Sequence, residues 1–315
     1  MTTPVRPLNI AHRGGAGLWP ENTLAAFRHA FAMGCDGAEL DAQLSADGEV
    51  VVFHDFRLKP DICRGAGGAW ITAPAPRVKD LTFAELQAYG VGRLKPGSAY
   101  AASHPDQQAI DGERIPALRD VIRLAKGFAH RPTLWIEIKT DFANRANAAA
   151  PAALADAIIA VLRAEDYLDR AVMVGFDWAG LLRTKALAPT VPCFFTTLPQ
   201  SWFAEGAPPE SHWPPEPQAL AVLRHWHATE APWAAGFDTH RHGSLAKAIK
   251  AAGGDGWFPF WPDLTPETAA AARAEGLALA AWTVDDPDGM RRLSGLGVSA
   301  ICTDRPDRLA ALFPR

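Results

Sequence analysis

The chain alternates short apolar runs with longer stretches whose apolar residues recur at helical spacing. An apolar run at 8–12 is followed by a helical pattern at 21–34 and by two further runs at 37–44 and 50–55. The alternation continues to the end and gives about eight strands with helices mostly between them. This pattern predicts an α/β fold, namely a parallel sheet closed into a TIM (β/α)8 barrel. A doubly wound open sheet is the alternative, because periodicity does not report closure.

Residues at the ends of these patterns agree with the predicted helix boundaries. Asn22 or Thr23 can cap the first helix, and Gly34 is placed to end it. Late in the chain, Thr265 is followed by Pro266, which is a favoured first residue of a helix.

Two segments interrupt the alternation within what we expect to be one domain, residues 1–315. Residues 56–116 are too long for a plain loop, and we predict that they form an inserted segment that caps the barrel mouth after the third strand. Residues 197–235 are rich in proline and tryptophan, and they could form a homo-oligomer contact, a hydrophobic substrate lid, or a loop held down by its own packing. The tryptophans of this second segment are Trp202, Trp213, Trp226 and Trp233.

Composition and charge narrow the class of protein. The 315 residues are 48% hydrophobic and 21% charged, which is typical of a folded globular chain. The net charge of −4 is spread over interleaved acidic and basic residues, so we expect no nucleic acid partner. No apolar run approaches a membrane span or a signal peptide, and we expect a cytoplasmic protein. The 4 cysteines form no CxxC pair and are expected to be buried thiols.

Charged residues on two predicted strands share a face with one another. Residues two apart on a strand point the same way, so Glu39 and Asp41 converge while their neighbours face the helices. The same parity places Glu137 with Lys139. Charges on the inner face of a barrel are costly unless they are paired or bound to a metal. We therefore predict a carboxylate cluster inside the barrel mouth.

Two histidines stand at the ends of predicted strands. His12 ends the first strand and His54 ends the third, which is where barrel enzymes keep their active sites. An imidazole can give or take a proton near neutral pH, so one histidine can act as a base and the other as an acid. Three carboxylates offer oxygen ligands suited to one divalent cation, Mg²⁺ or Ca²⁺, while Arg13 and Lys139 add positive charge for a phosphate. The set suits hydrolysis of a phosphodiester.

Simpler explanations exist for each part of this set. A histidine such as His12 is often a structural group, and Glu39 with Asp41 could be ion-pair partners of Arg13 or Lys139. His54 followed by Asp55 also resembles the pair of a helical HD-type hydrolase, but here the pair follows a strand.

Ordered motifs along nearly the whole chain resemble the glycerophosphodiester phosphodiesterase family, within the superfamily that includes phosphatidylinositol-specific phospholipases C. They are AHRGG (11–15), PENTLAAF (20–27), GAELDAQLSADGEVVVFHD (37–55), IPAL (115–118), IEIK (136–139), AWTVDD (281–286) and ICTDRPD (301–307). The resemblance implies a TIM barrel that hydrolyses glycerophosphodiesters to sn-glycerol 3-phosphate and an alcohol.

The resemblance also implies roles for individual residues. His12 and His54 match the acid/base pair of the family, and its metal ligands match three carboxylates, namely Glu39, Asp41 and Glu137. Arg13 and Lys139 match phosphate contacts, and Trp282 matches a tryptophan expected to line the glycerol or leaving-group side. The implied pathway passes through a cyclic glycerol phosphate formed by the 2-hydroxyl of the substrate, which needs no protein nucleophile.

The chain departs from the family pattern at two places. Asp285 stands where the family often has Asn, and residues 56–116 are longer than in compact members. The second departure leaves the preferred alcohol open. Two alternative functions remain: a lysophospholipase D-type or other phosphodiesterase that uses the same site, and a non-catalytic barrel that binds a phosphorylated ligand.

Overall fold

The sheet of this protein closes into a barrel of parallel strands. The computed structural model describes residues 6–203 and 216–314. Hydrogen bonding runs in the order β1-β9-β8-β7-β6-β5-β4-β2, and β1 also pairs with β2, which closes the ring. The TIM barrel prediction is confirmed and the open sheet is excluded. The strands are β1 (Leu8–Ala11), β2 (Gly37–Leu44), β3 (Val50–Val52), β4 (Thr133–Ile138), β5 (Ala171–Gly175), β6 (Cys193–Thr196), β7 (Gly256–Phe258), β8 (Ala278–Ala281) and β9 (Ala300–Thr303).

The third strand in the chain is not a barrel strand. β3 pairs antiparallel with the second half of β2, with Val52 opposite Ala42, so the two strands form a hairpin outside the ring. Residues 45–49 join them and are too few for a parallel crossover, which needs a dozen or more residues. The expectation that His54 ends a barrel strand was therefore wrong. The hairpin instead places β3 alongside the carboxyl-terminal half of β2, so His54 follows a strand that lies outside the ring.

Helices cover the outside of the barrel and also occur in the insertion. Thr23 caps the first of them by accepting a hydrogen bond from the amide of Ala26, and Gly34 ends it with φ 87°. Thr265 caps the helix that begins at Pro266, as the sequence predicts. The helices are α1 (Leu24–Met33), α2 (Phe83–Leu86), α3 (Ala99–Ser103), α4 (Leu118–Lys126), α5 (Pro151–Ala164), α6 (Trp178–Leu187), α7 (Pro217–Thr229), α8 (Thr239–His242), α9 (Leu245–Ala251), α10 (Pro266–Ala274), α11 (Pro287–Gly295) and α12 (Pro306–Leu312).

Two apolar layers hold the barrel together. The outer layer lies between strands and helices, where Leu40 and Ile136 pack against residues of α1, α4 and α5. The inner layer fills the ring with large side chains such as Trp135, Phe194 and Phe258. Alternate residues of β2 and β4 thus face opposite layers, which confirms the parity argument. The four cysteines are buried and form no disulfide.

Residues 56–116 have a small apolar core of their own, built with β3. Leu58, Ile62 and Leu86 are almost fully buried in it together with Val51. The short helices α2 and α3 lie within this segment. Its role as a cap of the mouth stays a prediction.

Three tryptophans of the tryptophan-rich segment lie in its described part, residues 197–203 and 216–235. Trp202 and Trp233 are buried, and Trp226 packs partly buried against the outer layer. Trp213 lies outside the described residues. The oligomer contact and the substrate lid stay predictions. In the described part of the chain, no helix has the length and apolar character that a membrane crossing demands.

Candidate active site

Three carboxylates converge where β2 and β4 approach the mouth of the barrel. Asp41 lies directly opposite Glu137 in the register of the two strands. One oxygen from each of Glu39, Asp41 and Glu137 can be chosen so that all three lie within 4.8 Å of one another. Glu39 is 3% exposed and Asp41 is 1% exposed, so water compensates little of their charge. The predicted cluster is present.

Two cations border this cluster. The Lys139 ammonium lies 3.1 Å from Glu137 Oε1 and 3.2 Å from Asp41 Oδ1. The Arg13 guanidinium lies 3.3 Å from Asp41 through Nε and 3.0 Å from Glu21 through Nη1. Arg13 and Lys139 thus lie beside the carboxylates, and their role as phosphate contacts stays a prediction.

The ion pairs compensate the three carboxylates unequally. Burial would raise the pKa of Asp41, but Lys139, His54 and Arg13 hold it below its usual range. Burial and the charge of Asp41 raise the pKa of Glu39 to about 8. Three carboxylates with oxygen donors this close, two of them buried, suit a hard divalent cation, which would favour the ionised form of Glu39. The donor set could hold one such ion.

His12 follows β1 directly and begins a short 3₁₀ turn over residues His12–Gly14. Its Nδ1 lies 2.7 Å from Asp304 Oδ1, and its Nε2 lies 3.8 Å from Glu39 Oε2. Burial lowers the pKa of an imidazole, but the carboxylates of Asp304 and Glu39 outweigh burial and raise the pKa of His12 to about 9. These carboxylates thus favour the cationic form of His12.

His54 has the opposite electrostatic surroundings. Burial and the charges of Arg13 and Lys139 lower its pKa, against the weaker influence of Asp41. Its Nδ1 lies 3.3 Å from Asp55 Oδ1. Gln43 fixes the backbone here, since its amide donates to the carbonyls of Phe53 at 2.7 Å and Asp55 at 2.9 Å. These surroundings thus favour the neutral form of His54.

The loop after β1 has a backbone that favours glycine. Arg13 has φ 50° and Gly14 has φ 84°, both in the left-handed region. A Cβ on Gly14 would lie 2.8 Å from the Cβ of Ala26, so a side chain there is excluded. This turn aims the Arg13 side chain back at Asp41. Asn22 completes the corner by donating to Asp41 Oδ2 at 2.8 Å.

Trp282 lies in the inner layer of the barrel, beside Phe176 and Phe260. The ring centroids are 5.3 Å and 5.5 Å away, and the indole N–H donates to the carbonyl of Phe258 at 2.9 Å. The ring is 7% exposed, so what it can offer a substrate is an edge or a part of its face.

Sequence reasoning missed polar residues that support the site. Asp304 follows β9, and the register places Thr303 opposite Ala11, which puts Asp304 beside His12. The sequence could have indicated this contact, since His12 and Asp304 each directly follow one of two adjacent parallel strands. Glu21 and Tyr100 are joined by a hydrogen bond although they lie 79 positions apart, and no periodic pattern in the sequence predicts this contact.

Asp285, the departure from the family pattern, lies behind Asp304. Its Oδ1 accepts hydrogen bonds from the Thr303 hydroxyl at 2.9 Å and from the amide of Asp304 at 2.8 Å. Burial and the charge of Asp304 raise the pKa of Asp285. An Asn oxygen could accept the same two bonds, so the departure preserves the geometry.

Comparisons with known proteins agree with this architecture. A glycerophosphodiester phosphodiesterase of Caldanaerobacter subterraneus subsp. tengcongensis is 28% identical over 310 residues, which cover 98% of each chain. A crystal structure from Silicibacter pomeroyi DSS-3, provisionally assigned as a glycerophosphoryl diester phosphodiesterase, is 32% identical with a TM-score of 0.78 and covers 96% of this chain and 92% of its own.

A more distant structure shares the fold. An Oleispira antarctica phosphodiesterase, solved with the product sn-glycerol-3-phosphate, is 20% identical with a TM-score of 0.66 over 97% of this chain and 96% of that one. The model of the glycerophosphoryl diester phosphodiesterase family matches residues 12–308, which is nearly the whole chain. This chain belongs to the glycerophosphoryl diester phosphodiesterase family.

Proposed function

We propose that this protein hydrolyses glycerophosphodiesters to sn-glycerol 3-phosphate and an alcohol, with one divalent cation, Mg²⁺ or Ca²⁺. The observation that carries the proposal is the convergence of three carboxylates whose oxygens lie within 4.8 Å of one another, with His12 Nε2 3.8 Å from Glu39 and with Arg13 and Lys139 beside Asp41. Relatives that carry this activity in their names support it, as does the sn-glycerol-3-phosphate bound to the Oleispira antarctica phosphodiesterase.

The three carboxylates Glu39, Asp41 and Glu137 would hold the cation. When bound, the cation supplies a positive charge that neutralises a non-bridging phosphate oxygen and favours ionisation of a nearby hydroxyl. Arg13 and Lys139 supply the remaining positive charge from the protein. Their guanidinium and ammonium groups already border the carboxylates, so a phosphate placed over the cluster meets both.

We give the two histidines opposite roles in the first chemical step, in line with the opposite directions of their pKa shifts. Neutral His54 accepts the proton of the substrate 2-hydroxyl as its oxygen attacks phosphorus. The bond from phosphorus to the leaving alcohol breaks, and cationic His12 gives its Nε2 proton to the leaving oxygen. The products of this step are the free alcohol and a cyclic glycerol phosphate, with His12 neutral and His54 protonated.

Water completes the reaction with the roles reversed. His12, now neutral, accepts a proton from the attacking water, and His54 returns its proton to the 2-oxygen as the ring opens. The enzyme recovers its starting state and releases sn-glycerol 3-phosphate. Trp282 would contact the glycerol or the leaving group through the part of its ring that is exposed.

A turnover panel tests the proposal. Glycerophosphoethanolamine, glycerophosphocholine and a lysophospholipid are each incubated with the metal-depleted protein and then with added Mg²⁺ or Ca²⁺. We expect release of sn-glycerol 3-phosphate from the first two, dependent on the cation. Faster turnover of the lysophospholipid would instead support the alternative substrate class. Activity that is unaffected by chelation would contradict the proposed role of the cation.

Two substitutions separate catalysis from binding alone. His12→Ala and His54→Ala are expected to lower kcat at least a hundredfold, in line with general acid–base contributions of about 10²–10⁴. Binding of sn-glycerol 3-phosphate with no turnover under either cation would favour the non-catalytic barrel.

A further inference from the structure

The insertion at 56–116 is fastened to the loop that carries Arg13. The Gln107 amide donates to the carbonyl of Ala16 at 2.8 Å, and the backbone N–H of Gln108 donates to the carbonyl of Leu18 at 2.9 Å. These contacts place α3 of the insertion, and its Tyr100 in particular, against the site loop.

One chain of polar contacts leads from the insertion to the Arg13 guanidinium. The Tyr100 hydroxyl donates to Oε2 of Glu21. The other oxygen of that carboxylate, Oε1, accepts from Nη1 of Arg13 at 3.0 Å. Each oxygen of Glu21 thus has one partner, and the carboxylate is 6% exposed. The two partners together fix where Glu21 lies, and Glu21 fixes one end of the guanidinium.

Without this support Arg13 would have a competing partner. Its Nε already lies 3.3 Å from Asp41, a candidate cation ligand. A guanidinium released by Glu21 could turn fully to Asp41, and it would then face a carboxylate rather than a phosphate. A held Arg13 also needs no reordering when an anion arrives, which strengthens binding because less rotamer entropy is lost.

We infer that Tyr100 is a positioning residue for phosphate recognition, which acts through Glu21 to hold the Arg13 guanidinium over the carboxylate cluster. This inference rests on the proposed function for the role of Arg13. It gives the insertion a task at the reacting phosphate itself, besides any contact with the leaving alcohol.

Two further observations suit a fixed Tyr100. The ammonium of Lys59 lies 3.5 Å above the centre of its ring, a cation–π contact that holds the ring plane. Burial and the neighbouring Glu21 carboxylate raise the pKa of the Tyr100 hydroxyl well above its usual value. The hydroxyl therefore stays protonated and remains a donor.

Binding and kinetics of Tyr100→Phe test the inference. Dissociation constants for sn-glycerol 3-phosphate and for inorganic phosphate are measured by calorimetry, beside kcat/KM on a glycerophosphodiester. The lost bond is to a charged acceptor, so we expect both the affinity and kcat/KM to fall about tenfold. Tyr89→Phe is the matched control, since the Tyr89 hydroxyl has no hydrogen bond to any residue in the described ranges and the ring packs in the same insertion.

A double-mutant cycle distinguishes positioning from general support of the fold. In an Arg13→Lys background, Tyr100→Phe should change phosphate affinity less than twofold, because the contact through which it acts is already altered. Glu21→Gln should reproduce the loss seen in Tyr100→Phe and keeps the inference testable if that variant folds poorly. Equal effects of Tyr100→Phe in both backgrounds, or affinities within twofold of wild type, would overturn it.

The two proposals fail in different ways. A chain that turns over no glycerophosphodiester contradicts the proposed function, yet phosphate binding in the Tyr100 and Arg13 variants still tests the positioning role. A chain that is active and indifferent to Tyr100→Phe contradicts the positioning role alone.

Discussion

Replacing Asp304 by Asn probes the support of the proposed acid. Asp304 accepts from Nδ1 of His12 at 2.7 Å, a short bond to a cationic imidazole. The bond fixes the ring so that Nε2 faces Glu39 and the proposed substrate position. Asparagine keeps the size of the side chain but removes the charge that stabilises the imidazolium.

The size of the effect follows from the kind of bond. A hydrogen bond to a charged group contributes about 1.5–3 kcal/mol, and each 1.36 kcal/mol in a barrier is tenfold in rate. The loss of one such bond therefore lowers kcat by about 10- to 150-fold. KM should change little, because Asp304 touches the histidine and not the substrate.

The assay is steady-state hydrolysis of a glycerophosphodiester, with thermal unfolding to confirm that each variant is folded. Asp285→Asn is the matched control, since the same substitution at this neighbouring carboxylate keeps an oxygen for the Thr303 hydroxyl and the amide of Asp304. We expect it to retain kcat within about threefold, as is usual where hydrogen bonds are preserved. A folded Asp304→Asn variant with wild-type kcat would refute the role of Asp304.

Three further predictions concern stability and the cation. In urea titrations, Gly14→Ala should lower the free energy of unfolding by about 2–4 kcal/mol, because strain at φ 84° adds to a contact of 2.8 Å with Ala26. The control Gly48→Ala should lower it by only about 1 kcal/mol, because Gly48 has φ 81° but nothing lies within 4 Å of the added Cβ. Burial raises the pKa of Asp263 to about 7, so the folded state binds this proton more tightly and loses stability as pH rises from about 4 through 7. Asp263→Asn removes that penalty, and its gain in unfolding free energy should grow by about 1–2 kcal/mol from pH 5 to pH 8; a constant gap would contradict the assignment. Glu137→Gln removes one of three clustered carboxylates and should raise the Kd for Mg²⁺ or Ca²⁺ roughly tenfold or more in calorimetry, and an unchanged Kd would place the ion elsewhere.

Much of the fold and the carboxylate cluster follows from local rules. The alternation of apolar runs predicts the order of strands and helices, and the two-residue parity of a strand places Glu39 and Asp41 on the inner face. Closure of the sheet does not follow, because pairing of β1 with β2 is a contact between strands that periodicity does not describe. Residue spacing alone predicts a charged mouth, and the ordered motifs supply the substrate class.

The errors and omissions arise from contacts between distant parts of the chain. The hairpin that carries His54 could have been recognised, since five residues at 45–49 cannot cross over a parallel sheet. The pairing of His12 with Asp304 depends on the register of β1 and β9 at opposite ends of the sequence. The contact of Tyr100 with Glu21 has no sequence signal. The cytoplasmic location, the identity of the cation and the oligomer contact stay predictions.

Phosphorus NMR of one glycerophosphodiester with the wild-type protein and one cation tests the central claim most directly. We predict that the diester signal gives way to sn-glycerol 3-phosphate, with a cyclic phosphate resonance in between, and that His54→Ala leaves the diester intact. A diester that survives prolonged incubation with the folded wild-type protein and either cation would contradict the account.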